Sequence, residues 1–289
     1  MKVAIIGSKG LLGTDMAMAC RRAGAETIEL AREQMDLTQP LQVRERLPPV
    51  QWVINCAAFS DIEGAEKNHT RAFAVNSEGA RAVAVCCARR GLRLMHISCA
   101  GVFDGRKATP FMETDAPNPL NAHGLSKLAG EKAVRAEGGK SLIVRLPVLF
   151  GLRGKSLPAE LLADACEGRF PLKVPADEMV SPAYSRHVAE GLLRLLSLNV
   201  TGLVHVGAAS RCTWIEFAQA LVERVHPGAE VVGVPAASFY PLAERPSQTV
   251  LDSQRFREWT GYALPGWRQA LKAWLTDAGV AGGQPRGRS

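Results

Sequence analysis

Short apolar runs alternate with longer amphipathic stretches through the first half of the chain. Val3–Ile6, Thr27–Leu30, Trp52–Cys56, Leu92–Ser98 and Leu142–Leu146 have the length and aliphatic content of buried strands. Between them, Leu11–Ala23, Arg71–Arg89 and Leu125–Ala136 space their apolar residues at a helical period. Strand and helix in strict alternation predict an α/β fold with a doubly wound parallel sheet. Right-handed crossovers then put helices on both faces of it.

After Phe150-Gly151 the pattern loosens. Helices are expected over Leu157–Glu167, His187–Ser197, Trp214–Val225 and Trp267–Leu275, and strands over Leu203–Val206 and Val231–Val234. Prolines 171, 175, 182, 227, 235, 241 and 246 punctuate these pieces. The division expected is a sheet domain over 1–150, with parts of 185–225 packing on it. A smaller C-terminal lobe over 151–276 lies at the carboxyl ends of the strands, and 277–289 form a disordered tail rich in glycine and arginine.

Composition narrows the function classes. The chain has 289 residues, 47% of them hydrophobic, without an apolar run long enough to cross a membrane. Its N-terminus enters a strand directly, without the apolar core of a signal peptide. Seven cysteines stand at 20, 56, 86, 87, 99, 166 and 212 with no Cys-x-x-Cys pair, so buried free thiols in a reducing cytoplasm are expected and no metal site is indicated. The net charge of +7 is dispersed rather than gathered in a block. That argues against nucleic acid and suits a protein that holds phosphorylated small molecules.

Gly7, Gly10 and Gly13 follow the first strand and open the first helix. Glycine is required where the chain turns tightly, where backbone approaches a pyrophosphate and where helix meets sheet. The N–H groups of the helix N-terminus, at Leu11, Leu12 and Gly13, then face the anion. This context marks a Rossmann-type dinucleotide site. The second strand ends Glu29-Leu30-Ala31-Arg32, with no acid at position 31 to hold a ribose 2′-hydroxyl. Arg32, assisted by Lys9, favours NADP(H) over NAD(H), whereas Glu29 and Glu33 argue the other way.

Residues 96–105, His-Ile-Ser-Cys-Ala-Gly-Val-Phe-Asp-Gly, and 117–131, Pro-Asn-Pro-Leu-Asn-Ala-His-Gly-Leu-Ser-Lys-Leu-Ala-Gly-Glu, complete the picture. They resemble the catalytic segments of extended short-chain dehydrogenase/reductases, in particular the dTDP-4-dehydrorhamnose reductase branch. That branch carries Ser-Thr-Asp-Tyr-Val-Phe-Asp-Gly in the first segment and Tyr-x-x-x-Lys in the second. Here Cys99, Ala100 and Gly101 replace its threonine, aspartate and first tyrosine, and His123 replaces the proton-donating tyrosine. The resemblance runs to about residue 275. It also covers Asp36-Leu37, Asn55-Cys56-Ala57-Ala58 and Val75-Asn76, all of which it implies lie around the cofactor. Val102-Phe103, Tyr184 and Arg245 stand where it implies substrate contacts, Arg245 toward a diphosphate.

The resemblance implies that Lys127 clamps the nicotinamide ribose and that a hydroxyl at position 99 steadies the substrate oxygen. Cys99 is a weaker donor, and Ser98 is the adjacent candidate substitute, although neighbouring strand residues point to opposite faces. A Cys99 thiolate nucleophile beside Lys127 is a further reading. His123 is open to three: a proton donor, a hydrogen-bonding group of the cofactor site, or an exposed side chain. Three functions follow. One is an NAD(P)H-dependent reductase of a keto-sugar nucleotide with a non-standard site. Another is a dinucleotide-binding regulatory subunit, like that of methionine adenosyltransferase in the same family. The third is a reductase or epimerase on another substrate. A nucleotide-sugar-like ligand is expected, and a homodimer or a regulatory partner protein is left open.

Overall fold

The computed structural model describes residues 1–280. Six parallel strands form the central sheet. In chain order they are β1 (Lys2–Ile6), β2 (Glu26–Leu30), β3 (Trp52–Asn55), β4 (Arg93–Cys99), β5 (Ser141–Leu146) and a last strand, Gly202–His205. Across the sheet the order is Gly202–His205, β5, β4, β3, β1, β2. After β1 the chain runs outward to β2 and then returns to β3 on β1's other side. The crevice at the carboxyl end of β1 is therefore the switch point, where doubly wound sheets receive ligands.

Burial follows the expected pattern. All four residues of β3 are buried, as a strand covered on both faces requires. Helix α1 (Leu11–Arg22) and α8 (Ser185–Leu198) cover one face through Met16, Cys20, Val188, Leu192 and Leu195. Helices α2 (Pro40–Arg46), α5 (Ala80–Arg89) and α6 (Ala122–Ala136) cover the other through Val43, Val83 and Val134. Each fully buried aliphatic side chain contributes roughly 1.5–3 kcal/mol.

The stretch 71–89, expected as one helix, is divided. After α3 (Ile62–Lys67), α4 (His69–Phe73) passes into a π-helical turn at Ala74–Gly79 and then into α5. One residue per turn is gained there, which periodicity alone does not reveal. The turn brings Asn76 round to Phe59 and Ser126.

The second half supplies a smaller cluster of its own. Phe150, Trp214, Phe217, Trp267 and Trp274 pack together between α7 (Leu157–Cys166), α9 (Trp214–Val225) and the helix Trp267–Asp277. Thr213 and Glu216 close a reciprocal cap at the start of α9. The strand Val231–Val234 is present, but it pairs with Leu172–Pro175 and not with the main sheet. Asp277, expected in the tail, ends the last helix and accepts hydrogen bonds from Tyr184 and Arg186. Residues 281–289 of the expected tail lie outside the described residues.

Candidate active site

The cofactor end is built on close backbone approach. Gly7 sits at φ +76°, and a Cβ there would stand 2.7 Å from the Ala57 nitrogen. A Cβ on Gly13 would overlap the Gly7 carbonyl. Gly10 is the N-cap of α1 and places no side chain over its N-terminus. The N–H groups of Leu11, Leu12 and Gly13 thus open onto the crevice at β1, beside the Cys56–Ala58 loop. Leu12 is buried, and Leu11 packs against the turn at Gly151 and Gly154. This cradle fits a pyrophosphate, and any larger residue at 7 or 13 would collide with the backbone that forms it.

The edge of the cradle carries two exposed cations. Lys9 pairs with Glu33 at 3.2 Å and Arg32 with Asp36 at 3.4 Å. Ala31 is buried and offers no acid. Glu29, on the strand, is held by Arg21 of α1. Asp36 turns its carboxylate inward to the amide and hydroxyl of Thr38, which holds its pKa below the usual range. Leu37 is buried against the position of Gly79.

Helix α6 brings the catalytic candidates to this crevice. The Asn121 side chain caps it by accepting from the Gly124 amide at 2.9 Å, and Glu66 accepts from the Ala122 amide at 2.6 Å. Gly124 lacks the Cβ that would collide with the Gly101 carbonyl, so the helix start lies directly on the β4 loop. Lys127, 4% exposed, donates to the Ile97 carbonyl at 2.6 Å. Burial lowers its pKa, though nearby Cys99 and Glu131 oppose the shift. His123 is 9% exposed, one helical turn before Lys127. Burial first, then the positive charges of Lys127 and Arg245, lower its pKa to about 3. The ring is therefore neutral at neutral pH, and it is not the exposed side chain that one sequence reading allowed.

A Cβ on Gly101 would lie 3.4 Å from Cys99 Sγ and 4.0 Å from His123 Nδ1. Both groups border the space the glycine leaves. Burial pushes the Cys99 thiol up, and Lys127 does not reverse this. Cys99 is thus a thiol in this site, not the thiolate nucleophile considered from sequence.

Four expectations are corrected by the geometry. Ser98 does not substitute for Cys99: successive strand residues face opposite ways, and its hydroxyl donates to Glu131 at 2.6 Å behind the site. Asn76 spends its amide on Phe59 and Ser126, leaving no polar atom for a cofactor. It positions α6 instead. Val102 and Phe103 are fully buried, Phe103 being stacked on Phe111, because the short helical turn after β4 points them into the core. Tyr184 stacks on Phe150 in the lobe core and gives its hydroxyl to Asp277, so it is not free to meet a sugar.

Arg245 does reach the site. Its guanidinium lies 4.0 Å from the centre of the Tyr240 ring and 3.3 Å from Glu63, and its Nε is buried without a partner. The sequence reading missed Glu63, Glu66, Asn121 and Tyr240. Only Asn121 carried a local signal, as an N-cap residue directly before a helix.

A family profile described as the RmlD substrate binding domain matches residues 1–280. The chain belongs to this family. Among its relatives, a dTDP-4-dehydrorhamnose reductase of Burkholderia thailandensis is 33% identical, over 96% of this chain and 99% of the relative. A dTDP-4-keto-6-deoxy-D-glucose reductase of Streptomyces niveus is 30% identical, over 92% and 94%. The crystal structure of dTDP-4-dehydrorhamnose reductase from Bacillus anthracis, in complex with NADP, superposes with a TM-score of 0.89 at 28% identity, over 96% and 99%. A UDP-glucose 4-epimerase of Thermotoga maritima, 17% identical with a TM-score of 0.84, shares the fold. These RmlD-family relatives carry reductase names, and they lend the regulatory-subunit reading no support. Among the described residues, no helix is long and apolar enough to cross a membrane.

Proposed function

We propose that this protein is an NADPH-dependent reductase of a keto-sugar nucleotide, of the dTDP-4-dehydrorhamnose reductase type. The observation that carries the reading is Lys127, held at the carboxyl end of β4 beside the glycine cradle, in a chain that matches named reductases end to end. Residues up to about 150 hold the cofactor, and the lobe over 151–276 brings Arg245 to the substrate. Lys9 and Arg32 would hold the 2′-phosphate, and the α1 N-terminus would hold the pyrophosphate. With its seven free thiols the protein works in a reducing cytoplasm.

When bound at this cradle, NADPH would supply the hydride for a keto carbon. Lys127 holds the ribose and keeps a positive charge beside the developing alkoxide. Neutral His123 offers that oxygen an N–H hydrogen bond rather than an imidazolium proton, and the proton that completes the alcohol is taken from solvent water. Arg245 receives the substrate diphosphate. Once that diphosphate neutralises it, one of the charges that depress His123 is removed, and the imidazole moves back toward its ordinary value. Cys99 supplies a weak S–H donor where a hydroxyl would be stronger. Replacing both polar groups of the family pattern costs on the order of 10²–10⁴ in rate for the acid and 10²–10³ for the oxyanion donor.

The test is NADPH oxidation with an enzymatically generated dTDP-4-keto-6-deoxy sugar, beside the His123→Tyr, Cys99→Thr double variant. Turnover by the natural protein, with a large gain in the variant, is the expected result. Silence from both while NADPH still binds would overturn the substrate assignment.

A further inference from the structure

We infer that Glu63 is a positioning residue for the substrate, latching the lobe segment Tyr240–Arg245 onto α3 so that Arg245 is held at the start of α6. The ligand named here rests on the reductase reading above. The latch itself is a set of three hydrogen bonds to one carboxylate. Glu63 Oε2 accepts from the Leu242 amide at 3.1 Å, and Oε1 accepts from the Ala243 amide at 3.1 Å and from Arg245 at 3.3 Å. One carboxylate thus gathers three donors from a segment roughly 180 residues away in sequence.

Its platform is rigid for local reasons. Asp61 caps α3 by accepting from the Gly64 amide at 2.8 Å. Glu66, one turn after Glu63, accepts from the first amide of α6, the helix that carries His123 and Lys127. The segment is also tied to that helix directly, since the Asn121 side chain donates to the Glu244 carbonyl at 2.8 Å. Arg245 is therefore placed from two sides.

The chemistry of the latch suits a diphosphate. Two backbone amides take up much of the Glu63 charge, so one 3.3 Å contact does not consume the guanidinium. Arg245 keeps a buried, unpartnered Nε, and its face is fixed on Tyr240. An oriented guanidinium with unspent donors is the group that recognises phosphate oxygens with defined geometry. Without Glu63 the segment would still carry Arg245, but over many orientations, and binding would bear the ordering cost.

The test compares wild type with Glu63→Ala and Glu63→Gln, the glutamine retaining one acceptor oxygen. Hydrogen exchange of the full chain without ligand reads the latch. Calorimetry with dTDP reads the site, and NADPH titration controls for folding. The expected result is faster exchange at Leu242 and Ala243 and dTDP binding weakened about tenfold in Glu63→Ala. The loss is smaller in Glu63→Gln, NADPH affinity is unchanged, and turnover shows a raised KM with kcat preserved. Unchanged exchange at those amides, or faster exchange with dTDP binding intact, overturns the inference. Failure of wild type to bind dTDP overturns the reductase reading, and with it the ligand named here. The ligand-free exchange separates that outcome from failure of the latch.

Discussion

Replacing His123 with glutamine isolates the proton linkage of this site. Burial, Lys127 and Arg245 hold the imidazole at about 3 against an ordinary 6.5. Between those values the unfolded chain binds a proton that the folded chain refuses. The stability associated with the neutral ring is therefore complete above pH 6.5 and is lost as pH falls toward 3. Each pH unit in that window is worth ~1.4 kcal/mol. Acidification from 6.5 to about pH 4.5 thus removes ~2–3 kcal/mol through this one group, from a total expected at about 5–15 kcal/mol. His96, His187 and His205 are shifted the same way by burial, so wild type and variant both weaken in acid. The observable is the difference between them. Urea unfolding at a series of pH values should show wild type losing about 2 kcal/mol more than His123→Gln over that range. Parallel stability curves would refute the neutral, buried histidine, and with it the argument that the site lacks an imidazolium acid.

Two further predictions test the scaffold and the cofactor edge. Arg145 and Glu131, each 2% exposed and paired at 2.7 Å, form the buried network that Ser98 joins. Arg145→Met should cost about 3–5 kcal/mol in chemical denaturation by stranding the carboxylate, and the double replacement with Glu131→Leu should recover most of it; a single variant within 1 kcal/mol of wild type would contradict the buried pair. Arg32→Ala should weaken NADPH binding about tenfold while leaving NADH unchanged in fluorescence titration. Equal loss for both cofactors would place Arg32 away from the 2′-phosphate.

The parts legible in the sequence were local ones. Gly7 and Gly13 announced themselves because no other residue fits where they stand, and the reason is visible in backbone atoms that a Cβ would strike. Lys127 was legible through the family resemblance, which sets a lysine four residues after the tyrosine that His123 replaces. Ser98 and Cys99 show the limit. Both are polar and adjacent, and only the direction of β4 decides that Cys99 borders the site while Ser98 serves Glu131. Tyr184 and Phe103 matched a pattern of positions, yet aromatic side chains settle where they bury most area, and both went into cores.

Periodicity and glycine placement along the chain were enough to determine a doubly wound sheet with a dinucleotide cradle at its first turn. These depend on contacts within a few residues, where the spacing of side chains is set by the backbone itself. Tertiary structure decided how strongly His123 is held neutral, because that depends on burial and on Arg245 arriving from the other lobe. It alone decided the latch between Glu63 and Leu242, and the turning of Asn76 inward through a π-helical turn. Those features rest on where distant segments meet. No local spacing encodes such meetings, because they are fixed only when the whole core has closed.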